Sequence, residues 1–153
     1  MKIFQKLLQN SSKFHISNHA GKISFGTNLK WETSLEAGLM KIKATRKPGM
    51  MVVHKSWCGA CRGLKPKFEA HREIETLSTG FILISLADDN QPKDKKYSPD
   101  GDYVPRILFI NPHGIVMTEV INENGSTDFK YFYSDADSIA TSMKRVLDVF
   151  PKM

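Results

Sequence analysis

His54-Lys55-Ser56-Trp57-Cys58-Gly59-Ala60-Cys61 is the stretch on which the fold turns. Leading into it, Met50-Met51-Val52-Val53-His54 is a short apolar run of the length of a buried strand. After it a helical pattern begins at once. A strand that ends in a tight turn and opens a helix puts Cys58 at the helix start. Free backbone N–H groups and the helix dipole stabilise a thiolate there. Cys61 lies one turn later and faces back toward Cys58, so it can attack a mixed disulfide without large motion. Trp57 is read as a shield for the pair. A redox dithiol is therefore the first reading. Two others compete. Zinc needs about four ligands, but there is no second CxxC. His54 is near in sequence, whereas His71 lies about 15 Å further along if the segment is helical. Incidental core cysteines are disfavoured by the close spacing and by the turn-forming Gly59.

Outward from this stretch the chain reads as helices alternating with short strands. Thr33 is expected to cap a helix from about Ser34 to Thr45, with Leu35, Leu39 and Ile42 on one face. Lys47-Pro48-Gly49 stops it. Leu64, Phe68, Ile74 and Leu77 are the apolar positions of the helical pattern after Cys61, and Pro66 should kink it. Phe81 to Leu86 is a second buried strand. Residues 87–103 form a long polar loop, a kind that is often functional. Arg106 to Ile110 is a third strand. The turn Asn111-Pro112-His113-Gly114 predicts an antiparallel partner over Ile115 to Ile121. Asn124-Gly125 is another turn, and Tyr131 to Tyr133 a short strand or core cluster. Ser134 or Asp135 caps a last helix bearing Ile139, Met143, Val146, Leu147 and Phe150. This order predicts an α/β sandwich with a mixed central sheet flanked by helices.

The composition narrows the function. The chain has 153 residues, which suits one domain with its own core. With 41% apolar and 25% charged residues it is an ordinary globular sequence, and two cysteines exclude a disulfide framework. No 18-residue apolar stretch exists, so no membrane insertion is expected. The formal charge is +6, yet Lys2, Lys6, Lys13, Lys22 and Lys30 stand in an N-terminal stretch without a single acid. Residues 1–27 read as a flexible or processed basic arm and residues 28–150 as the domain. The excess charge sits on the arm, so nucleic acid is not an expected partner. Gln5, Lys6 and Gln9 interrupt the apolar start, so no secretory signal is read there.

Several blocks carry a resemblance. Trp57-Cys58-Gly59-Ala60-Cys61, Pro66, and Val104-Pro105 before a strand are similar to the thioredoxin fold. His54 to Cys61, Leu64-Lys65-Pro66-Lys67-Phe68, Tyr97-Ser98-Pro99-Asp100-Gly101, Val104-Pro105-Arg106-Ile107-Leu108-Phe109 and Ile121-Asn122-Glu123-Asn124-Gly125 resemble the anterior-gradient group of small endoplasmic-reticulum proteins. The resemblance covers about residues 28 to 148. It implies a thioredoxin-like sandwich and a thiol–disulfide oxidase, isomerase or reductase. Its partners would be client proteins with thiols or disulfides, with glutathione as a candidate redox partner. Cys58 would be the nucleophile, Cys61 the resolving thiol, and Pro105 a cis-proline facing them. Trp57, Gly59, Ala60, Val104 and Pro105 would contact substrate. No cofactor and no metal are expected.

The alternative is a non-catalytic folding or interaction module of the same group. The resemblance points to the reticulum lumen or secretory pathway. The chain ends Phe150-Pro151-Lys152-Met153 rather than in a KDEL-type tetrapeptide, which leaves a cytoplasmic or organellar place open. In a secretory setting Asn10-Ser11-Ser12 and Asn124-Gly125-Ser126 are glycosylation sequons. One departure matters. Thioredoxin and the disulfide isomerases hold a buried carboxylate six residues before the first cysteine, and here that position is Val52. His54 and Lys55 are read either as charges that tune the cysteine or as a solvated strand end. Arg62 and Lys65 either attract acidic substrates or solvate the helix. Tyr97, Ser98 and Asp100 are candidate substrate contacts.

Overall fold

The computed structural model describes residues 25–26 and 28–151. Four strands, β1 (Trp31–Glu32), β2 (Gly49–His54), β3 (Ile82–Ala87) and β4 (Arg106–Ile110), form one sheet in the order β1-β3-β2-β4. β1 and β2 run parallel to β3, and β4 is antiparallel to β2. The helices are α1 (Leu35–Thr45), α2 (Gly59–Glu69), α3 (Arg72–Ser78) and α4 (Ala136–Val149). The expected mixed sheet with helices on its faces is what the chain forms.

β2 and β3 are buried along their whole length, which is why both read as unbroken apolar runs rather than alternating ones. Side chains still alternate across the sheet. Met50, Val52, Ile107 and Phe109 pack with Leu64 and Phe68 of α2, Ile74 of α3, and Ile139 and Met143 of α4. Met51, Val53, Leu108 and Ile110 pack on the other face with Ile42 of α1 and with Tyr97 and Tyr131. Each face thus holds its own core.

The boundaries differ from expectation in places, each for a local reason. Ser34, not Thr33, caps α1: its side chain accepts from the Ala37 N–H at 3.2 Å, and the helix starts at Leu35. Pro66 lies inside α2, which runs on to Glu69. The break falls at Ala70 and His71 instead, where the His71 ring accepts from the Ile74 N–H at 3.3 Å and caps α3. Asp135 is the cap of α4, accepting from the Ser138 N–H at 2.7 Å.

The strand expected over Ile115 to Ile121 is a single bridge between Ile110 and Val116. The side chain of Asn111 accepts from the N–H groups of His113 and Ile115, and a turn at Met117–Val120 leads the chain away. Tyr131 to Tyr133 is not a strand either. Its tyrosines are buried, with Tyr131 donating to the Thr118 carbonyl at 2.7 Å and Tyr133 bonded to Ser142 at 2.8 Å. β1 was not foreseen, because two residues carry no periodicity.

The arm expected over residues 1–27, with the sequon at Asn10, lies outside the described residues except for Phe25 and Gly26. Those two belong to the folded unit. Phe25 is fully buried, edge-on to Phe68 at 5.3 Å, and the Gly26 carbonyl accepts from the Trp31 indole at 2.9 Å. Phe25→Ala should therefore cost about 3 kcal/mol, the usual figure for a buried phenylalanine. Urea unfolding checks this, and a loss under about 0.5 kcal/mol would return Phe25 to the arm.

Candidate functional site

Three chain segments meet at one end of the sheet. β2 stops at His54 and α2 starts at Gly59, with Cys58 as its cap in extended conformation. The thiol takes the place that a serine or aspartate oxygen fills at most helix starts. Cys58 Sγ accepts from the Cys61 N–H at 3.1 Å. A bond from the Cys58 N–H to the Lys55 carbonyl, 3.1 Å, tightens the turn. β4 is antiparallel to β2 with Arg106 opposite Val53, so the residues just before β4 arrive beside the end of β2. Those residues are Val104 and Pro105. The peptide between them is cis, and the Val104 carbonyl lies 3.7 Å from Cys58 Sγ. β3 ends beside His54 as well, and Asp88 accepts from the Ser56 N–H and hydroxyl at 2.9 and 3.1 Å.

Both cysteines are free thiols and both are buried, Cys58 with 6% and Cys61 with 3% of its surface exposed. Burial first, and then the hydrogen bond to Cys58, push the Cys61 thiol up to about 12. Backbone hydrogen bonds act in the opposite direction but do not cancel this. At neutral pH Cys61 is a thiol that has to lose its proton before it can act as a nucleophile.

Of the residues singled out beforehand, the structure gathers Cys58, Cys61, Val104 and Pro105. Gly59 and Ala60 lie exposed at the start of α2, with open space above Gly59. Trp57 is no shield: 68% of its surface is open, with the Lys55 ammonium 5.3 Å from its ring centre. It offers an apolar face next to the thiols.

Tyr97, Ser98 and Asp100 are turned toward their own loop. Tyr97 is buried, the Ser98 hydroxyl donates to the Lys95 carbonyl, and Asp100 accepts from the Tyr103 hydroxyl and the Lys130 N–H. His54 is not a solvated strand end. It is 5% exposed, its Nε2 lies 2.8 Å from the Ser85 hydroxyl, and its ring stands edge-on to Phe25 at 5.2 Å. A cleft of about 280 Å³ opens beside it, lined by Phe25, His54, Lys55, Ser56, Cys61, Arg62 and Lys65.

Arg106 escaped the sequence reading. It is fully buried, and its guanidinium donates to the Tyr97 carbonyl at 2.9 Å and the Tyr103 carbonyl at 3.1 Å. Desolvation lowers its pKa, and Asp102 and Tyr103 act against that. The bonds fasten both ends of the loop 97–103 beneath Val104. A charged residue inside the apolar run after Pro105 was the signal available in the sequence. Among the described residues no cluster of three or more His, Cys, Asp or Glu could hold a metal ion.

Comparison with known proteins agrees with this geometry. A family profile described as Thioredoxin-like matches residues 30–112. The chain is 35% identical over 123 residues to Anterior gradient protein 2-B of Xenopus laevis, covering 80% of this chain and 74% of that one. It is 32% identical to Anterior gradient protein 2 homolog of Homo sapiens, covering 80% and 69%. Mitochondrial thioredoxin 3 of Saccharomyces cerevisiae shares the fold with a TM-score of 0.52 at 14% identity, over 80% of this chain and 99% of that one.

Two results are expected here. Arg106→Ala leaves two carbonyls without their donor and should cost about 3 kcal/mol in urea unfolding, since each unsatisfied buried group costs about 1–3 kcal/mol. In a Cys58→Ser variant, Cys61 is still buried. A raised pKa keeps the unreactive thiol form to higher pH. Iodoacetamide at pH 8 should then label Cys61 at least about tenfold more slowly than an ordinary cysteine of pKa about 8.5. Equal rates would show that burial does not hold the proton.

Proposed function

Since the chain belongs to the anterior-gradient group of the thioredoxin-like family, we propose that it is a protein thiol–disulfide oxidoreductase working through Cys58 and Cys61. The observation that carries this is the cap of α2. The sulfur of Cys58 faces the helix N-terminus, accepts from the Cys61 N–H and lies against the Val104 carbonyl. A thiolate at that place is stabilised by the dipole and the free N–H groups. Cys58 attacks a client disulfide and expels one client thiolate, forming a mixed disulfide. Cys61, deprotonated, attacks Cys58 Sγ and expels the second client thiolate. The client gains two electrons and the protein is left with a Cys58–Cys61 disulfide. The reverse sequence oxidises a client dithiol. A glutathione-type thiol serves as the small redox partner that resets the pair.

Val104 is half-buried and Trp57 open, so an extended client backbone can lie along Val104 with apolar side chains on the indole. Gly59 and Ala60 complete the contact surface beside the sulfur. Within the group, the blocks Ser98-Pro99-Asp100-Gly101 and Val104 to Phe109 resemble thioredoxin domain-containing protein twelve. That resemblance points to protein folding in the reticulum lumen. Presence of both thiols, coupled by a hydrogen bond, favours catalysis over the non-catalytic module.

Cys61→Ser should trap client proteins as mixed disulfides, whereas Cys58→Ser should trap none and show no turnover. Non-reducing gels of the two variants after incubation with a disulfide-bonded client decide it. More adducts on Cys58→Ser than on Cys61→Ser would reverse the assignment.

A further inference from the structure

The resolving step needs a proton acceptor. Cys61 is a buried thiol, and Val52, the β2 residue six positions before Cys58, is apolar and fully buried. Side chains on a strand alternate, so Val52 and His54 point to the same face of the sheet. Ser85 is the register partner of Val52 on β3, so it shares that face. His54 reaches back to it with Nε2, 2.8 Å from the hydroxyl. On the other side the imidazole and Cys61 line the same cleft.

We propose that His54 is the proton acceptor for Cys61, with Ser85 holding its ring in place. This rests on the oxidoreductase reading given above. When the mixed disulfide has formed on Cys58, the Cys61 S–H proton passes to the His54 imidazole, directly or across one water in the cleft. The Cys61 thiolate then attacks Cys58 Sγ, the Cys58–client bond breaks, and the client leaves as a thiolate. The imidazolium gives its proton to that thiolate or to water, and the ring is neutral again.

The chemistry of the cleft singles His54 out. Lys55 and Ser56 come from the turn after β2, and Cys61, Arg62 and Lys65 come from α2. Phe25 adds an uncharged ring, and Ser85 of β3 adds a hydroxyl. Lysine and arginine are protonated at neutral pH, and no carboxylate is among the described residues of the lining. Asp88 follows Ala87, the register partner of His54, but is held on Ser56. Imidazole alone changes its charge near pH 7 without any special shift. A serine hydroxyl accepts from a protonated ring nitrogen or donates to a bare one, so the ring keeps its anchor in both states. The cleft has room for several waters.

The test uses the full chain, glutathionylated on Cys58 at pH 4 and brought to a series of higher pH values by rapid mixing. Release of glutathione is followed in time. In the wild-type protein the rate should rise with pH and then level off, with a midpoint well below the thiol range, once the imidazole is free to take the proton. His54→Gln should release glutathione at least about tenfold more slowly at pH 7, a modest share of what a general base contributes. Its rate should climb through pH 9 without a plateau, and added imidazole should restore part of it. A near-ultraviolet circular dichroism spectrum and a urea midpoint like those of wild type show that the variant is folded. Superimposable profiles for wild type and variant would overturn the assignment. If His54→Gln does not fold, the wild-type profile decides: a rate that rises tenfold per pH unit through pH 9 without a midpoint overturns it. A wild-type adduct that never releases glutathione would instead refute the oxidoreductase reading, and this one with it.

Discussion

A sulfur atom caps helix α2, and the rest of the site is arranged around that substitution. The first N–H groups of any helix lack intrahelical partners, and an oxygen usually satisfies one of them. Here the acceptor is Cys58 Sγ. The atom that has to react thereby sits at the open N–H groups of the helix start. The arrangement works only if α2 begins where it does. That start is fixed by β2, which is buried on both faces and cannot slide along its neighbours without exposing Val52 or Val53.

The opposite wall depends on a buried cation. Taking a guanidinium out of water is costly, and here two of its nitrogens find carbonyls while Nη2 is buried without a partner. Arg106 donates to the carbonyls of Tyr97 and Tyr103, the two ends of an irregular stretch. Asp100 then ties the middle of that stretch to Lys130, and the Tyr103 hydroxyl takes the Tyr131 N–H. These bonds explain why so long a polar loop can be well placed: its backbone is held by side chains rather than by a ladder. The same bonds take Tyr97 and Asp100 out of the set that could meet a client.

What the sequence showed and what it hid divide along one line. β2, the turn and α2 were legible because their signals are local: an apolar run, a glycine between two cysteines, and residues spaced by one helical turn. The sandwich followed from the order of such signals. The hidden parts are settled by distant neighbours. β1 exists because Trp31 and Glu32 meet Leu83 and Ile84, a pairing that no two-residue window contains. Ile115 to Ile121 had strand character and begins to pair, with the Met117 N–H on the Phe109 carbonyl, but Asn111 takes the Ile115 N–H and the turn at Met117–Val120 ends the ladder. Phe25 was assigned to the arm by counting charges, whereas its burial depends on Phe68, 43 positions later in the chain. The depth of His54 and Arg106 was hidden because burial of a charged or polar side chain cannot be read from its neighbours in sequence.

Burial of Cys61 connects these observations. A resolving thiol that ionised freely would compete with Cys58 for oxidants and clients. Burial keeps it protonated and out of reach, with its thiol pushed up to about 12. The same burial would stall the second half of the exchange unless the proton had somewhere to go. A buried carboxylate on β2 would be one answer, but it would itself need desolvating, and Val52, the position six residues before Cys58, belongs to the core instead. An imidazole two residues on along the same strand face avoids that cost, because it is neutral before the step and charged only during it. Its seat at the strand end borders a cleft, so water can share the positive charge while the ring carries the proton. The core beneath the dithiol then needs no carboxylate, and the proton chemistry moves to the rim of the sheet.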